Sequence, residues 1–305
     1  MTHGPTLIQL RAFIAAAEAG SFGQAANALG LAPSSVSESV HALEQLRGEP
    51  LFRRSPRGIT LTAAGERALP HARLAVQHSE DFTLALNGNG AALAGTLRVA
   101  AYRSLGVHLL PPVLSLLRRR HPHLRVQILD GTSGEGGEHL IEDGRADVAF
   151  TELTAHTSLF TLPVVEDQHV VVLPKRRLSR SLTWVDFQAQ PLLLFPAHHA
   201  CNAELHRHLH TFLTPDTVVE EVAEDEVMLS MVEHGLGWAV LPHLAALPLR
   251  QSLMTQPLPV PLARTLGVAI QPGRAGLPHT RAFLDALRMY RTTPEFGRLQ
   301  KFLSE

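Results

Sequence analysis

The first ninety residues alternate apolar positions at helical spacing with short polar turns. In the run TLIQLRAFIAAAEAG, four apolar residues recur at i, i+3, i+4 and i+7, which predicts a helix with one apolar face. They are Leu10, Phe13, Ile14 and Ala17. Gly20 suits the position just past this helix. Ser21 and Gln24 have the spacing of a capping box, so they predict the start of a second helix.

The run APSSVSESVHALEQLRG predicts a third helix with two different faces. Pro33 fits its first turn. The expected inward face consists of Val36, Val40, Leu43 and Leu46. The opposite stripe is polar and consists of Ser34, Ser37, Glu38, His41 and Gln45. Two short helices around a glycine turn predict a helix-turn-helix. A polar stripe of this kind could contact base edges, although most polar stripes are simply solvated faces.

A predicted hairpin follows in PLFRRSPRGITLT. Its two extended runs, Leu51–Arg53 and Gly58–Leu61, flank a Ser-Pro-Arg-Gly turn. Arg53, Arg54 and Arg57 are concentrated here, and arginine binds phosphate or the minor groove well. The pattern therefore predicts a wing beside the helix-turn-helix.

These residues together resemble the winged helix-turn-helix of LysR-type transcriptional regulators. The shared elements are Gly20-Ser21-Phe22, Ala25-Ala26, the Pro-Ser-x-Val-Ser beginning at Pro33, Leu43-Glu44, Leu51-Phe52-x-Arg54 and Leu61-Thr62-x-Ala64-Gly65. The resemblance implies DNA contacts from Ser34, Ser35, Ser37, Glu38, His41, Arg53, Arg54 and Arg57. Two positions depart from the family pattern. Ala32 stands where the third helix usually has a Ser or Thr cap, and Glu38 stands where Arg or Lys is frequent.

A longer helical run begins at Thr62 and is expected to reach about Leu86. Pro70 lies inside it and is a candidate kink. One side of this run carries Leu69, Ala72, Val76, Phe82 and Leu86. By the resemblance, this is a linker helix that pairs with its copy in a second subunit. The following NGNGAALAG predicts a flexible boundary. We therefore expect a DNA-binding domain at 1–65, a linker helix at 66–90 and a regulatory domain at 91–305.

From Thr96 onward, short apolar runs alternate with helical runs, which predicts an α/β domain. The predicted strands are TLRVAA, LRVQIL, ADVAF, HVVVL, PLLLF, TVVEEV, GWAVLP and TLGVAI. The predicted helices cover Val107–Arg119, Glu138–Asp143, a run from about Asn202, a run from about Asp225, and His279–Arg291. The order resembles the LysR-type effector domain, which is similar to a two-lobed periplasmic binding protein. It implies lobe I at about 91–160 and 266–305 and lobe II at about 161–265. TTPEFGRLQKFLSE at the end looks additional.

Ligands of such sheets bind at the carboxyl ends of the strands. The residues at those ends, read with the resemblance, predict an effector cleft between the lobes. They are Arg103, Ser104, Thr132, Ser133, Thr151, Glu152, Pro196, His198 and Glu224. Ser104 begins a helix, which favours an anion. Aromatic-acid sensors of the family often have Arg at the place of Glu152, so this acid argues against a simple carboxylate effector there. Arg103 could supply the charge instead.

Composition narrows the class of protein. The chain has 27 Lys and Arg against 28 Asp and Glu, so its net charge of -1 gives no general attraction to DNA. Any attraction to DNA must come from a local basic patch. Residues 1–65 have five basic residues and four acids, which predicts a modest salt dependence of DNA binding. No apolar stretch is long enough for a membrane span. A single cysteine excludes an internal disulfide and fits a cytoplasmic location.

The sequence gives little support for a nucleotide site, an enzyme or a metal site. GTSGEGGEH is neither a dinucleotide fingerprint nor a Walker A motif. The sequence has no GxSxG, no HExxH and no carboxylate pair at telling spacing, so we expect no enzyme activity and no cofactor. FPAHHACNAELHRHLH invites a metal site, with His206 and His210 on one helix face. Eighteen histidines but only two lysines in the chain make histidine an ordinary surface residue here, so we predict no metal site.

Cys201 leaves an alternative open. By resemblance, peroxide-sensing members of the family have their reactive cysteine soon after the strand that corresponds to PLLLF. A helix N-terminus and histidine neighbours would lower a thiol pKa. Without a second cysteine, a disulfide within one chain is impossible, but a sulfenic acid or a mixed disulfide is not. An inert thiol is the plainer interpretation.

The resemblance implies a cytoplasmic LysR-type regulator, an activator or a repressor. We expect it to bind double-stranded DNA at an interrupted palindrome as a dimer or tetramer. Its expected partners also include a small-molecule effector and RNA polymerase, but no membrane. Redox sensing through Cys201 is the alternative, and metal sensing ranks below it.

Overall fold

The computed structural model describes residues 4–46, 48–86, 93–132, 136–154, 157–175, 180–197 and 202–304. Contacts divide the chain into two units. One comprises Met1–Ala91 with Leu140–Ala146, and the other comprises Ala92–His139 with Asp147–Glu305. Within the described residues, no helix is long and apolar enough to cross a membrane.

Three short helices, a hairpin and a long helix make up the N-terminal part of the first unit. They are α1 (Leu7–Ala19), α2 (Phe22–Leu29), α3 (Pro33–Gln45), β1 (Phe52–Ser55), β2 (Gly58–Leu61) and α4 (Ala63–Leu86). The two strands pair antiparallel, with Phe52 opposite Leu61. The predicted helices, the hairpin and the long helical run are confirmed.

The helix starts follow local sequence chemistry, with one correction. Ser21 begins α2, but only half of the predicted capping box forms, since Ser21 Oγ accepts a hydrogen bond from the Gln24 backbone N–H at 3.5 Å. The complete box lies one helix earlier. There Thr6 N–H donates to Gln9 Oε1 at 2.8 Å and Gln9 N–H donates to Thr6 Oγ1 at 3.3 Å. The start of α3 has no side-chain cap, because Ala32 has no polar side-chain atom.

Aromatic and small residues build the core of this unit. The Phe52 ring meets the edges of Phe13 and Phe22, with centroids 5.5 and 5.7 Å apart. Alanines let the helices pack closely around these rings, and they are fully buried. These are Ala12, Ala16, Ala25 and Ala26. The predicted inward face of α3 is correct at Val36 and Val40 but wrong at Leu46, which is 42% exposed because α3 ends at Gln45.

The hairpin is tied to the corner between α1 and α2. Ile59 N–H donates to the Gly20 carbonyl at 2.9 Å. A Cβ atom on Gly58 would lie 2.6 Å from that same carbonyl oxygen, and Gly58 has a φ of 122°. Only glycine fits this close approach. The turn residue therefore fixes where the hairpin sits.

Helix α4 runs through Pro70 without ending. Its predicted apolar side divides in two. Ala72 and Val76 are buried, whereas Phe82 and Leu86 are 67% and 70% exposed. The C-terminal half of the helix therefore presents large apolar side chains that the single chain leaves uncovered.

The second unit alternates strands and helices. Its strands are β3 (Gly95–Ala101), β4 (Leu124–Asp130), β5 (Val148–Glu152), β6 (Phe160–Pro174), β7 (Leu192–Leu194), β8 (Val219–Glu221), β9 (Trp238–Pro242), β10 (Leu253–Pro257) and β11 (Ala263–Ile270). Its helices are α5 (Arg103–His108), α6 (Leu110–Arg120), α7 (Gly137–Glu142), α8 (Ala203–Phe212), α9 (Asp225–Glu233), α10 (Pro278–Arg291) and α11 (Pro294–Ser304). In the described part of this unit, 3-10 helices cover Trp184–Gln188 and His243–Ala246.

One long strand joins two lobes. The order of hydrogen-bonded strands is β4-β3-β5-β11-β6-β9-β7-β8, with β10 also paired to β6. The first half of β6 pairs with β11, and its second half pairs with β9 and β10. We call the half with β3, β4 and β5 lobe I and the half with β7 to β10 lobe II. Lobe I has one apolar core and lobe II has two, one on each face of its strands.

Three sequence expectations change here. The helix predicted over Val107–Arg119 is two helices, α5 and α6, which meet at Leu109, because the prolines that follow Leu110 favour the first turn of a new helix. Strand β10 was not predicted. The segment that looked additional forms α11, whose Phe296 and Leu303 are 3% and 0% exposed in the lobe I core. It is therefore an integral part of that lobe.

Candidate functional site

The polar stripe of α3 is accessible. Ser34, Ser35, Glu38 and His41 are exposed, and Ser37 is half-buried. The opposite residues of α3 are held in the core, so the helix presents this stripe in a fixed orientation. Short donors and acceptors on an exposed helix can meet base edges in a major groove.

The hairpin contributes the cations. Arg53, Arg54 and Arg57 are all exposed. The Arg54 guanidinium carbon lies 5.2 Å from the centroid of the Phe22 ring, a cation–π contact that orients this side chain at the base of the hairpin. Ser55 Oγ shapes the turn by accepting from Arg57 N–H and donating to the Gly58 carbonyl, at 3.2 and 3.1 Å.

One residue that fixes α3 relative to the hairpin had no predicted role. Glu44 Oε1 accepts a hydrogen bond from Leu51 N–H at 2.8 Å, just before β1. The neighbouring His41 lies 3.9 Å from the other Glu44 oxygen. Glu44 was visible in the sequence only as part of the Leu43-Glu44 element, because the hydrogen bond depends on the tertiary position of Leu51.

A small pocket lies between the two lobes of the second unit, with a volume of about 60 Å³. Both lobes contribute to its walls. The lining residues are Tyr102, Arg103, Ser104, Thr132, Phe195, Asn202, Ala223, Asp225, Pro242, Ala245 and Arg264. Apolar walls with a few convergent polar groups are typical of small-molecule sites.

Arg103 bridges the lobes at this pocket. It follows β3 in lobe I, and its guanidinium donates to Asp225 Oδ1 and to Glu224 Oε2 at the start of α9 in lobe II. Its backbone N–H donates to Thr132 Oγ1 at 3.2 Å. Partial burial opposes its charge, but the Glu224 hydrogen bond and the charges of Asp225, Glu224 and Asp130 raise the pKa of Arg103.

A buried ion pair lies beside the pocket where the lobes meet. Arg264 Nε and Nη2 donate to Asp167 Oδ2 at 3.0 and 2.8 Å. The two side chains are 5% and 0% exposed. Asp167 Oδ1 also accepts from Leu244 N–H at 2.9 Å, and Arg264 Nη2 lies 3.5 Å from Ser104 Oγ. Arg264 was not among the predicted residues.

Buried titratable groups surround this pair. Burial, aided by the Arg264 charge, lowers the pKa of His169 to about 3. Its Nδ1 lies 3.3 Å from the Leu262 carbonyl oxygen. Burial also raises the pKa of Glu152, against the opposing effect of Arg264, whose Nη1 lies 3.9 Å away.

The predicted effector residues divide into three groups. Arg103, Ser104 and Thr132 line the pocket, and Glu224 holds Arg103. Three others lie outside its lining: Thr151 is buried, Glu152 lies beside Arg264, and the Pro196 carbonyl accepts from Asn202 Nδ2 at 3.4 Å. Ser133 and His198 lie outside the described residues, and so does Cys201, the candidate redox residue.

The contributions of the two lobes differ from the prediction. Thr151 and Glu152 end β5 between β3 and β11, but they are not among the residues that line the pocket. Lobe II contributes more of the pocket than was predicted, through Phe195, Ala223, Pro242 and Ala245. Within the described residues, no cluster of three or more His, Cys, Asp or Glu side chains could hold a metal ion.

Two family profiles cover most of the chain. Residues 7–66 match the bacterial regulatory helix-turn-helix protein, lysR family, and residues 90–291 match the LysR substrate binding domain. The chain belongs to the LysR family of transcriptional regulators. It is therefore a DNA-binding regulator with an effector-binding domain.

Two relatives agree with this assignment to the LysR family. The chain is 34% identical over 291 residues to the "Probable HTH-type transcriptional regulator LrrA" of Synechococcus elongatus, covering 95% of this chain and 98% of the relative. It is 36% identical over 174 residues to a "Probable hydrogen peroxide-inducible genes activator" of Mycobacterium xenopi, covering 57% of this chain and 92% of the relative.

Solved structures share the fold. Full-length OxyR of Pseudomonas aeruginosa, a cysteine-to-aspartate mutant, aligns with a TM-score of 0.76 at 22% identity, covering 96% of this chain and 97% of that one. A cysteine-to-serine mutant of Corynebacterium glutamicum OxyR with bound hydrogen peroxide aligns with a TM-score of 0.57 at 25% identity, covering 100% and 96%.

Proposed function

We propose that this LysR regulator reads an interrupted palindrome as a symmetric assembly and responds to a small molecule in the pocket between its lobes. The main observation behind this proposal is the pocket between the lobes, because polar groups of both lobes converge on it. The exposed apolar end of α4, at Phe82 and Leu86, fits a helix that pairs with a second copy. Symmetric copies would place their α3 helices in two half-sites.

In this proposal α3 and the hairpin have separate tasks on DNA. Ser34, Ser37, Glu38 and His41 of α3 contact base edges, where Glu38 accepts from a cytosine N4. Arg53, Arg54 and Arg57 contact phosphates or the minor groove. Because these arginines are few, affinity falls with salt only modestly. A regulator of this kind works beside the chromosome in the cytoplasm, and it would contact RNA polymerase if it activates transcription.

The response requires the effector to prefer one arrangement of the lobes. Pocket residues come from both lobes, so a ligand there has different contacts when the lobes move. A ligand shifts a conformational equilibrium only by its difference in affinity for the two states. We infer that this difference changes how the assembly holds DNA.

Gel shifts with genomic fragments test the DNA-binding part. The expected result is a specific complex that persists against competitor DNA. The Ser104→Ala variant should form the same complex but lose the response to any ligand found by thermal-shift screening. Loss of the complex itself in a folded Ser104→Ala protein would remove Ser104 from the effector site.

Redox control through Cys201 is a second candidate. It is favoured by the M. xenopi relative named as a peroxide-inducible activator and by the likeness to OxyR with hydrogen peroxide bound. Asn202, the next residue, lines the pocket. In this candidate, the Cys201 thiolate attacks the peroxide O–O bond. The sulfur becomes a sulfenic acid, and one peroxide oxygen leaves as hydroxide and takes up a proton to form water.

The Cys201→Ser variant separates the candidates. Under effector control, it keeps the wild-type response to a screened ligand, and peroxide changes DNA binding in neither protein. A peroxide response that occurs in the wild type and disappears in Cys201→Ser would favour redox control.

A further inference from the structure

The acids of α9 and of its N-cap, Glu224, are divided between two arginines. Arg250, within lobe II, pairs with Glu226 and Glu233 at 2.9 Å each. Glu224 and Asp225 are instead held by Arg103, which reaches across from lobe I. A guanidinium of the protein itself thus occupies an acidic pair at the edge of the pocket, in which Asp225 lines the pocket and the Glu224 side chain is 57% exposed.

The partners in this bridge differ in freedom to move. The Asp225 side chain is 15% exposed, and its Oδ1 also accepts from Glu226 N–H at 3.0 Å. The Arg103 side chain is 45% exposed and is attached through a long flexible stem. Arg103 can therefore swing into solvent, whereas Asp225 stays at the pocket wall.

The surrounding charges strengthen this asymmetry. The other pocket cation, Arg264, is already matched by Asp167 at 2.8 Å and has Glu152 at 3.9 Å. Asp130 adds a further negative charge near Arg103. Within the described residues, carboxylates therefore outnumber cations around the pocket.

Anionic and cationic ligands would have opposite consequences. An anion that drew Arg103 away would leave Asp225 and Glu224 facing a like charge without a counter-ion, which is costly for Asp225, whose side chain is only 15% exposed. A cation would replace Arg103 charge for charge, and the released arginine would be hydrated at its exposed position. The arrangement favours the second exchange.

We propose that the effector carries a cationic group, an ammonium or guanidinium, that replaces Arg103 on the Asp225–Glu224 pair. Arg103 is then a built-in competitor, and effector binding removes an ion pair between the lobes. Ser104 and Thr132, on the opposite wall, would hold a polar atom of the same molecule. This inference rests on the proposed effector pocket and specifies the class of molecule that it takes.

The test uses the full-length protein and measures binding by calorimetry at constant ionic strength. The cationic probes are agmatine and L-arginine. L-Citrulline has a neutral ureido group in place of the guanidinium of arginine and keeps the same α-ammonium and α-carboxylate, and succinate is an anion. The Arg103→Ala variant leaves Asp225 and Glu224 without their arginine. If this variant is unstable, the Arg103→Met variant is used in its place. Arg250→Ala is the matched control, because it removes an arginine that pairs with other acids of helix α9, Glu226 and Glu233, away from the pocket.

Agmatine should bind Arg103→Ala about two- to fivefold more tightly than wild type, the range expected when an exposed ion pair no longer competes. Arg250→Ala should bind like wild type. Replacing the acids, in Arg103→Ala with Asp225→Asn and Glu224→Gln, should abolish agmatine binding. Citrulline should bind more weakly than arginine to every variant that keeps the acids.

Agmatine that binds Arg103→Ala no more tightly than Arg250→Ala would overturn the inference. So would succinate binding that requires Arg103, although the pocket would then survive as the effector site. The Ala245→Trp variant, whose indole should fill the pocket, tests whether a probe binds in the pocket at all. If no probe binds in a way that Ala245→Trp blocks, both the pocket and the cationic ligand are wrong.

Discussion

Arg264→Met should severely destabilise the second unit. The substitution leaves Asp167, whose side chain is 0% exposed, buried without its cation, although Leu244 N–H still donates to it. Removing one partner of a buried ion pair typically costs about 3–5 kcal/mol. With a urea m-value of about 3 kcal/mol per molar, the unfolding midpoint should fall by about 1–1.7 M.

Tryptophan fluorescence during urea unfolding measures this effect selectively. The chain has two tryptophans, Trp184 and Trp238, and both lie in lobe II. The signal therefore follows the second unit and not the helical N-terminal part, which avoids treating the whole chain as two-state.

Arg250→Met is the matched control, since Arg250 is also paired with two acids but is 30% exposed. It should cost less than about 1 kcal/mol. Adding Asp167→Leu to Arg264→Met should restore much of the lost stability, because the uncompensated charge is then gone. Equal effects of the Arg264 and Arg250 substitutions would refute the reasoning.

Three further outcomes are expected. Arg54→Ala should weaken DNA binding for all sequences and lower the salt slope by about 1 in a titration of labelled operator; loss of discrimination at a single base pair would instead make Arg54 a base reader. Glu152→Gln should stabilise the protein at neutral pH. The raised pKa of the Glu152 carboxyl means that the folded state binds its proton more tightly than the unfolded state, so the protein loses stability as pH rises through that pKa. A lower melting temperature of the variant at pH 7.5 would argue against this. His169→Gln should reduce the loss of stability in acid between pH 6.5 and about 3. In this range His169 binds a proton in the unfolded chain but not in the folded one, which costs up to about 1.4 kcal/mol of stability per pH unit. An unchanged stability–pH curve would show that His169 does not contribute.

Local patterns predicted the helices of the first unit well, because their apolar spacing, glycine ends and proline starts act within a few residues. The errors there were also local. Ser21 forms half a capping box where a whole one was expected, and α3 ends one residue before Leu46, leaving that side chain exposed. The hydrogen bond of Glu44 to Leu51 N–H was out of reach, since it depends on how the hairpin returns to α3.

The pocket was harder to predict because its main charges are matched over long sequence distances. Arg264 stands at the start of an apolar strand, and its partner Asp167 is 97 residues away. Arg103 was predicted to supply charge to an effector, but its partners lie more than 120 residues further along the chain. Strand ends indicate where a pocket forms, whereas the pairing of charges across it requires the tertiary structure.

Footprinting of one selected operator fragment tests the central claim most directly. The account predicts that the wild-type protein protects two symmetric half-sites, spaced by one or more helical turns, and that a ligand binding in the pocket changes the protected length. The Ser104→Ala protein should give the same ligand-free footprint and no change with ligand. A single unsymmetric protected site, or a footprint that the pocket ligand leaves unchanged in the wild type, would contradict the account.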